Sequence, residues 1–160
     1  MIEMTLAGVR VELPSNQPIV LLKEREGERF LPIWIGAAEA AAISLALQGI
    51  ATPRPMTHDL LKNILEEMTV QVDRIVITEL REGTFFAVIN MHRNGTAWEI
   101  SSRPSDAIAL AVRVNAPIFA DEDVLSEASI LIPSDEEEEV EKFREFLENV
   151  TPEDFEGPAA

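Results

Sequence analysis

The chain has no cysteine, which excludes disulfides and thiolate metal sites and leaves the redox compartment unmarked. It also lacks a long apolar run. The longest stretch without charge, Ala40 to Pro53, is interrupted by Gln48 and Gly49 and is too short to span a bilayer. The opening residues, Met1-Ile2-Glu3-Met4, carry no basic region of a secretory type, so a cytoplasmic protein with no membrane partner is expected. Several catalytic signatures are missing as well: no phosphate loop, dinucleotide fingerprint, zinc-protease helix or nucleophile elbow occurs. Nor is there an acidic-x-Lys triplet of the common restriction-type nuclease core. Histidine is scarce, with only two in the chain.

Positive charge is in deficit too, with a net charge of −16, which opposes phosphate-bearing ligands. The deficit is uneven. From Asp121 onward there are 15 acidic and 2 basic residues, which leaves 14 acids against 11 bases in residues 1–120. The body is nearly neutral and can present a local basic pocket.

The organisation is that of a doubled unit. A shift of about 67 residues brings two halves, 2–48 and 69–115, into rough register. Alternation at Ile2, Met4 and Leu6 changes phase to Val9, Val11 and Leu13. Val70 and Val72 likewise give way to Ile75 and Ile77. Period two marks a half-buried strand, and the phase change marks a bulge. Second strands are expected at Pro18–Lys23 and Thr84–Met91, and third strands at Phe30–Ile35 and Thr96–Ser101. Glu26-Gly27 and Asn94-Gly95 supply the turns. Ala-rich helices follow at about Ala37–Gln48 and Pro104–Val114.

Between the halves, Thr57 is expected to cap a helix reaching about Met68. Pro117–Ala120 and Ile130–Ile132 read as short strands. Ser134 with Glu137 forms a capping box for a last acidic helix with an apolar stripe of Val140, Phe143, Leu147 and Val150, beside Phe146. A stripe that wide predicts a homodimer or cover by the body. The expected fold is α+β: a mixed β-sheet with packed helices, built from a duplicated β-β-β-α unit in residues 1–130, then an acidic helix and tail over 131–160.

Candidate chemistry gathers at helix starts, whose free N–H groups and dipole suit an anion. In Pro53-Arg54-Pro55-Met56-Thr57-His58-Asp59, Arg54 is held between two prolines, with phosphate recognition and a structural ion pair as its two readings. His58 and Asp59 are sequence neighbours, so they point about 100° apart on a helix and do not form a dyad. In Arg103-Pro104-Ser105-Asp106, Pro104 suits the first helical position. Glu39 and Asp106 fall at matching positions, where an acid either caps its own helix or faces a shared cleft.

These blocks, together with Leu31-Pro32-Ile33-Trp34-Ile35-Gly36, Gly83-Thr84-Phe85 and Ala107-Ile108-Ala109-Leu110-Ala111, closely resemble the bifunctional nuclease family, also known as domain of unknown function 151. The resemblance covers about residues 1–130. It implies a mixed sheet built by duplication and a nuclease acting on RNA and DNA. It also draws attention to Glu39, Arg54, His58, Asp59, Arg103, Ser105 and Asp106. On the resulting expectation Arg54, Arg103 and Ser105 bind phosphate, and His58 acts as general acid or base. Glu39, Asp59 and Asp106 are catalytic carboxylates that hold Mg²⁺ or Mn²⁺. The alternative is a non-enzymatic regulatory module that binds a small anionic ligand or a protein partner.

Overall fold

The computed structural model describes residues 1–12, 14–133, 143–145, 147 and 148. Its first strands form a meander: β1 (Ile2–Glu12), β2 (Gln17–Glu24) and β3 (Arg29–Trp34), leading into helix α1 (Ala37–Leu47). A second meander, β4 (Gln71–Arg81), β5 (Thr84–Arg93) and β6 (Thr96–Ser102), leads into α3 (Pro104–Val114). Helix α2 (Thr57–Glu67) lies between them in sequence. β7 (Ile118–Ala120), α4 (Glu122–Ala128) and β8 (Ile130–Leu131) complete the order. The fold is α+β, with one mixed eight-stranded sheet in the order β6-β5-β4-β7-β1-β2-β3-β8.

Both meanders are antiparallel, and β7 joins them, antiparallel to β1 and parallel to β4. The phase changes read from the sequence are irregularities in register, between Leu6 and Gly8 in β1 and between Val72 and Arg74 in β4. Asn94 and Gly95 both have positive φ, as a tight hairpin whose twist matches its strands requires. The two halves share one element order, and Glu39 and Asp106 both occupy the third position of their helices.

Period-two alternation puts Val20 and Leu22, Leu31 and Ile33, Ile75 and Ile77, and Ala87 and Ile89 on one face. All are buried, in a cluster with Ala40 and Ile43 of α1 and Ala107, Ile108, Leu110 and Ala111 of α3. Small side chains on the helices let them approach the sheet and each other closely. Among the described residues no helix is long and apolar enough to cross a membrane.

One local expectation is corrected. The N-cap of α2 is Met56, and Thr57 is already its first residue. The capping comes from the other direction, because Asp59 accepts the Met56 N–H at 3.0 Å. The acidic run Asp121-Glu122-Asp123 opens α4, with Glu122 and Asp123 exposed. Asp121 accepts the Asp123 N–H at 3.1 Å, while Val124 and Leu125 are buried.

The chain divides into Met1–Ile130 and Leu131–Ala160. The expected capping box at Ser134 and Glu137, and Val140, Phe146 and Val150 of the apolar stripe, lie outside the described residues. Within the first unit, Ile108 is fully buried at the helix–sheet interface. Ile108→Ala should therefore cost about 3 kcal/mol, read as a lower urea midpoint at unchanged slope.

Candidate active site

Helices α1, α2 and α3 each carry an acid at their third position: Glu39, Asp59 and Asp106. The acid there offsets the unpaired N–H groups of the first turn. Arg103, the N-cap of α3, ties two of these helix starts together. Its Nε donates to Asp106 Oδ2 at 2.8 Å, and its Nη2 donates to Glu39 Oε1 at 2.6 Å. Glu39 folds back over Gly36, the N-cap of α1, where any Cβ would collide with its carboxylate.

The start of α2 joins through His58, which is buried and lies with Nε2 2.9 Å from Asp106 Oδ1. Burial opposes ionisation of Asp106, but hydrogen bonds from Arg103 and His58 outweigh it and hold its pKa below the usual value. An ionised carboxylate takes the N–H form of Nε2, which leaves Nδ1 of a neutral ring as an acceptor. Nδ1 has no hydrogen-bond partner among the described residues, and no buried side-chain nitrogen or oxygen there lacks one. Solvent must therefore reach Nδ1. His58, Asp106, Arg103 and Glu39 line one cavity of about 180 Å³, with Thr57 and Met56 beside them.

Asp59 belongs to a different network. Its Oδ1 accepts from Arg113 Nε at 2.7 Å, and the remaining guanidinium N–H groups reach Ala109 O at 2.9 Å and Ala42 O at 3.0 Å. The Arg113 hydrogen bond, followed by that from the Met56 N–H, lowers the Asp59 pKa. Arg113 thus links all three helices, with its side chain only 7% exposed. An arginine within Ala109-Leu110-Ala111-Val112-Arg113-Val114 is the signal that could have revealed this, since a buried cation needs partners.

The other expected residues sit as follows. Ser105 is buried and makes no hydrogen bond through its hydroxyl among the described residues. Arg54 is exposed; its carbonyl accepts from Thr52 Oγ1 at 2.6 Å. Its guanidinium makes no hydrogen bond or ion pair among the described residues, and the structure does not bring it into the Arg103 network. Glu39, Asp59 and Asp106 are not gathered as a metal site would need. Both Asp59 oxygens are engaged by Arg113 and the Met56 N–H, and Arg103 lies between the other two acids. Among the described residues no three ligand side chains are close enough to hold one ion, so this donor set does not fit a resident Mg²⁺ or Mn²⁺.

A histidine held by an aspartate, beside an arginine fixed by two carboxylates, is the arrangement that acid–base chemistry or anion binding would use, on an α+β frame. A sequence model of the bifunctional nuclease domain matches residues 20–133, and the chain belongs to that family. It is 48% identical over 162 residues to an uncharacterized protein of Mycobacterium tuberculosis (strain H37Rv), covering 96% of this chain and 97% of the relative. It is also 31% identical over 106 residues to Bifunctional nuclease 1 of Oryza sativa subsp. indica, and 30% identical over 108 residues to Bifunctional nuclease 1 of Arabidopsis thaliana. These matches span 64% and 65% of this chain but 32% and 33% of the plant proteins.

Two outcomes are expected. Arg113→Ala removes a buried cation and leaves the Ala42 carbonyl without that partner. It should cost about 3 kcal/mol, and lower Tm by roughly 6–10 °C. The second concerns pH. The Glu39 pKa is lowered by a backbone N–H and by Arg103, so its stabilisation is present above the ordinary carboxylate range and lost as pH falls through the depressed folded value. The Tm difference between wild type and Glu39→Gln should hold from about pH 7 to 5 and shrink towards about pH 3.

Proposed function

We propose that this chain is a nuclease that hydrolyses phosphodiester bonds in nucleic acid, with His58 as the proton-transfer group and Arg103 as the phosphate ligand. The observation that carries the reading is the continuous chain His58–Asp106–Arg103–Glu39 along one cavity. Hydrolysis needs an attacking water stripped of its proton and positive charge on the phosphoryl oxygens as the transition state forms. His58 Nδ1 accepts the proton as the water oxygen bonds to phosphorus, and the leaving oxygen takes a proton from solvent as its P–O bond breaks. Asp106 holds the ring through Nε2 and stabilises the imidazolium that results.

Arg103 uses Nε and one Nη2 N–H on the carboxylates, which leaves its Nη1 group for a non-bridging oxygen. A guanidinium held in place by two acids loses little freedom when phosphate arrives. The N–H groups of Ser105 and Asp106, in the first turn of α3, have no intrahelical acceptor and face the same charge. No step is assigned to a metal ion. Asp59 serves this chemistry indirectly, by fixing α2 and with it His58.

The test uses protein from a nuclease-deficient host and a labelled single-stranded oligonucleotide. His58→Ala should lower the cleavage rate at least about hundredfold, the range of a positioned proton-transfer group. Arg103→Ala should lower it at least about tenfold. Circular dichroism should show both variants folded. Cleavage that co-purifies unchanged with the His58 variant would sink the assignment. Absent cleavage by wild type, with Arg103-dependent binding of a nucleotide, would favour the non-enzymatic module.

A further inference from the structure

A second cavity, of about 310 Å³, lies on the other side of Arg103. Three blocks far apart in the chain meet there: Ile33-Trp34-Ile35-Gly36 at the end of β3, Gly83-Thr84-Phe85 at the β4–β5 turn, and Arg103-Pro104-Ser105 at the start of α3. Of the first two blocks, only Gly36 touches the acid–base network, by leaving room for the Glu39 carboxylate. Trp34 is a large aromatic that remains 52% exposed at this rim. Phe85 is half-buried beside the same space.

Ser105 supplies the observation that separates this cavity from a dent in the surface. It is only 5% exposed, yet its hydroxyl makes no hydrogen bond among the described residues. No buried side-chain oxygen there lacks a partner, so Oγ opens onto the cavity that Ser105 lines. Gln17, which lines the same cavity, uses its Nε2 on the Ile35 carbonyl at 3.4 Å, which leaves its amide oxygen as an acceptor. A hydroxyl, an amide oxygen, aromatic rings and a guanidinium lining one cavity match the edge, the faces and the phosphate of one nucleotide.

We infer that this cavity is a nucleobase subsite, in which Trp34 stacks on the base and Ser105 and Gln17 hydrogen-bond its edge. The inference rests on the reading of Arg103 as the phosphate ligand and extends it to the substrate class. A space of this size takes one unstacked nucleotide, so the substrate is single-stranded nucleic acid or a free nucleotide. The charge of the body agrees. With acids outnumbering bases 14 to 11 in residues 1–120, it has no broad positive footprint for a duplex backbone. Stacking, which tolerates any base, then contributes the affinity.

The test compares AMP, ribose 5-phosphate and adenosine by titration calorimetry on the full chain. AMP should bind at least about tenfold more tightly than ribose 5-phosphate, and Trp34→Ala should reduce that preference to within about twofold. Trp34→Phe keeps an aromatic face and should retain the preference within about threefold, which controls for misfolding. Ser105→Ala should weaken AMP at least about threefold with little change for ribose 5-phosphate. Equal affinity for AMP and ribose 5-phosphate, no saturable binding of AMP, or a preference untouched by Trp34→Ala each overturns the subsite. Trp34-dependent binding of adenosine without binding of ribose 5-phosphate upholds the subsite and removes the phosphate role of Arg103. A Trp34-dependent preference without any cleavage upholds it and removes the nuclease reading.

Discussion

Three helix starts brought side by side present a concentration of positive partial charge and unpaired N–H groups, and the centre of this protein is organised around that constraint. Each helix answers it with a carboxylate at its third position. The carboxylates in turn require cations, and two arginines meet the requirement in different ways. Arg113, buried, ties Asp59 to carbonyls of α1 and α3. Arg103, largely exposed, spans Glu39 and Asp106 and keeps part of its guanidinium available. One arginine supports the fold and the other faces solvent, yet both follow from the same electrostatic problem.

That division explains how an acidic chain can keep a positioned cation exposed among its helix starts. Attraction by net charge is not available to it. What it has is a local arrangement in which the cation is positioned by its own counterions and the neighbouring carboxylate also orients an imidazole. Burial of His58 and of the Arg113 side chain shields their own pairs with Asp106 and Asp59, whereas the exposed Arg103 pairs are open to screening by salt.

Strand and helix positions could be read from the sequence because each depends on local pattern. Alternation places β1 to β6, phase changes mark the irregular registers, Asn94-Gly95 closes a hairpin, and Pro104 marks the first turn of α3. The divergent directions of His58 and Asp59 follow from helix geometry alone. Side-chain partners were not readable in this way. His58 meets Asp106 across 48 positions, and Arg103 meets Glu39 across 64, and no local rule encodes such distances. Arg113 is equally illegible locally, because its apolar neighbours read as helix core. The three carboxylates expected to share one ion are individually occupied by arginines and a backbone N–H, which only the spatial arrangement reveals.

The short β7 has a bearing on how the chain is made. Ile2 to Met4 leave the ribosome well before Ile118 to Ala120, the residues they pair with. Until that distant segment leaves the ribosome, the first meander has an open strand edge at β1. Such an edge can recruit a neighbouring nascent chain as readily as its own partner. The closing strand is three residues long, so closure comes late and through few backbone bonds. In biosynthesis, the middle of the sheet is a seam sewn only after both meanders are made, and one that crowding can misdirect.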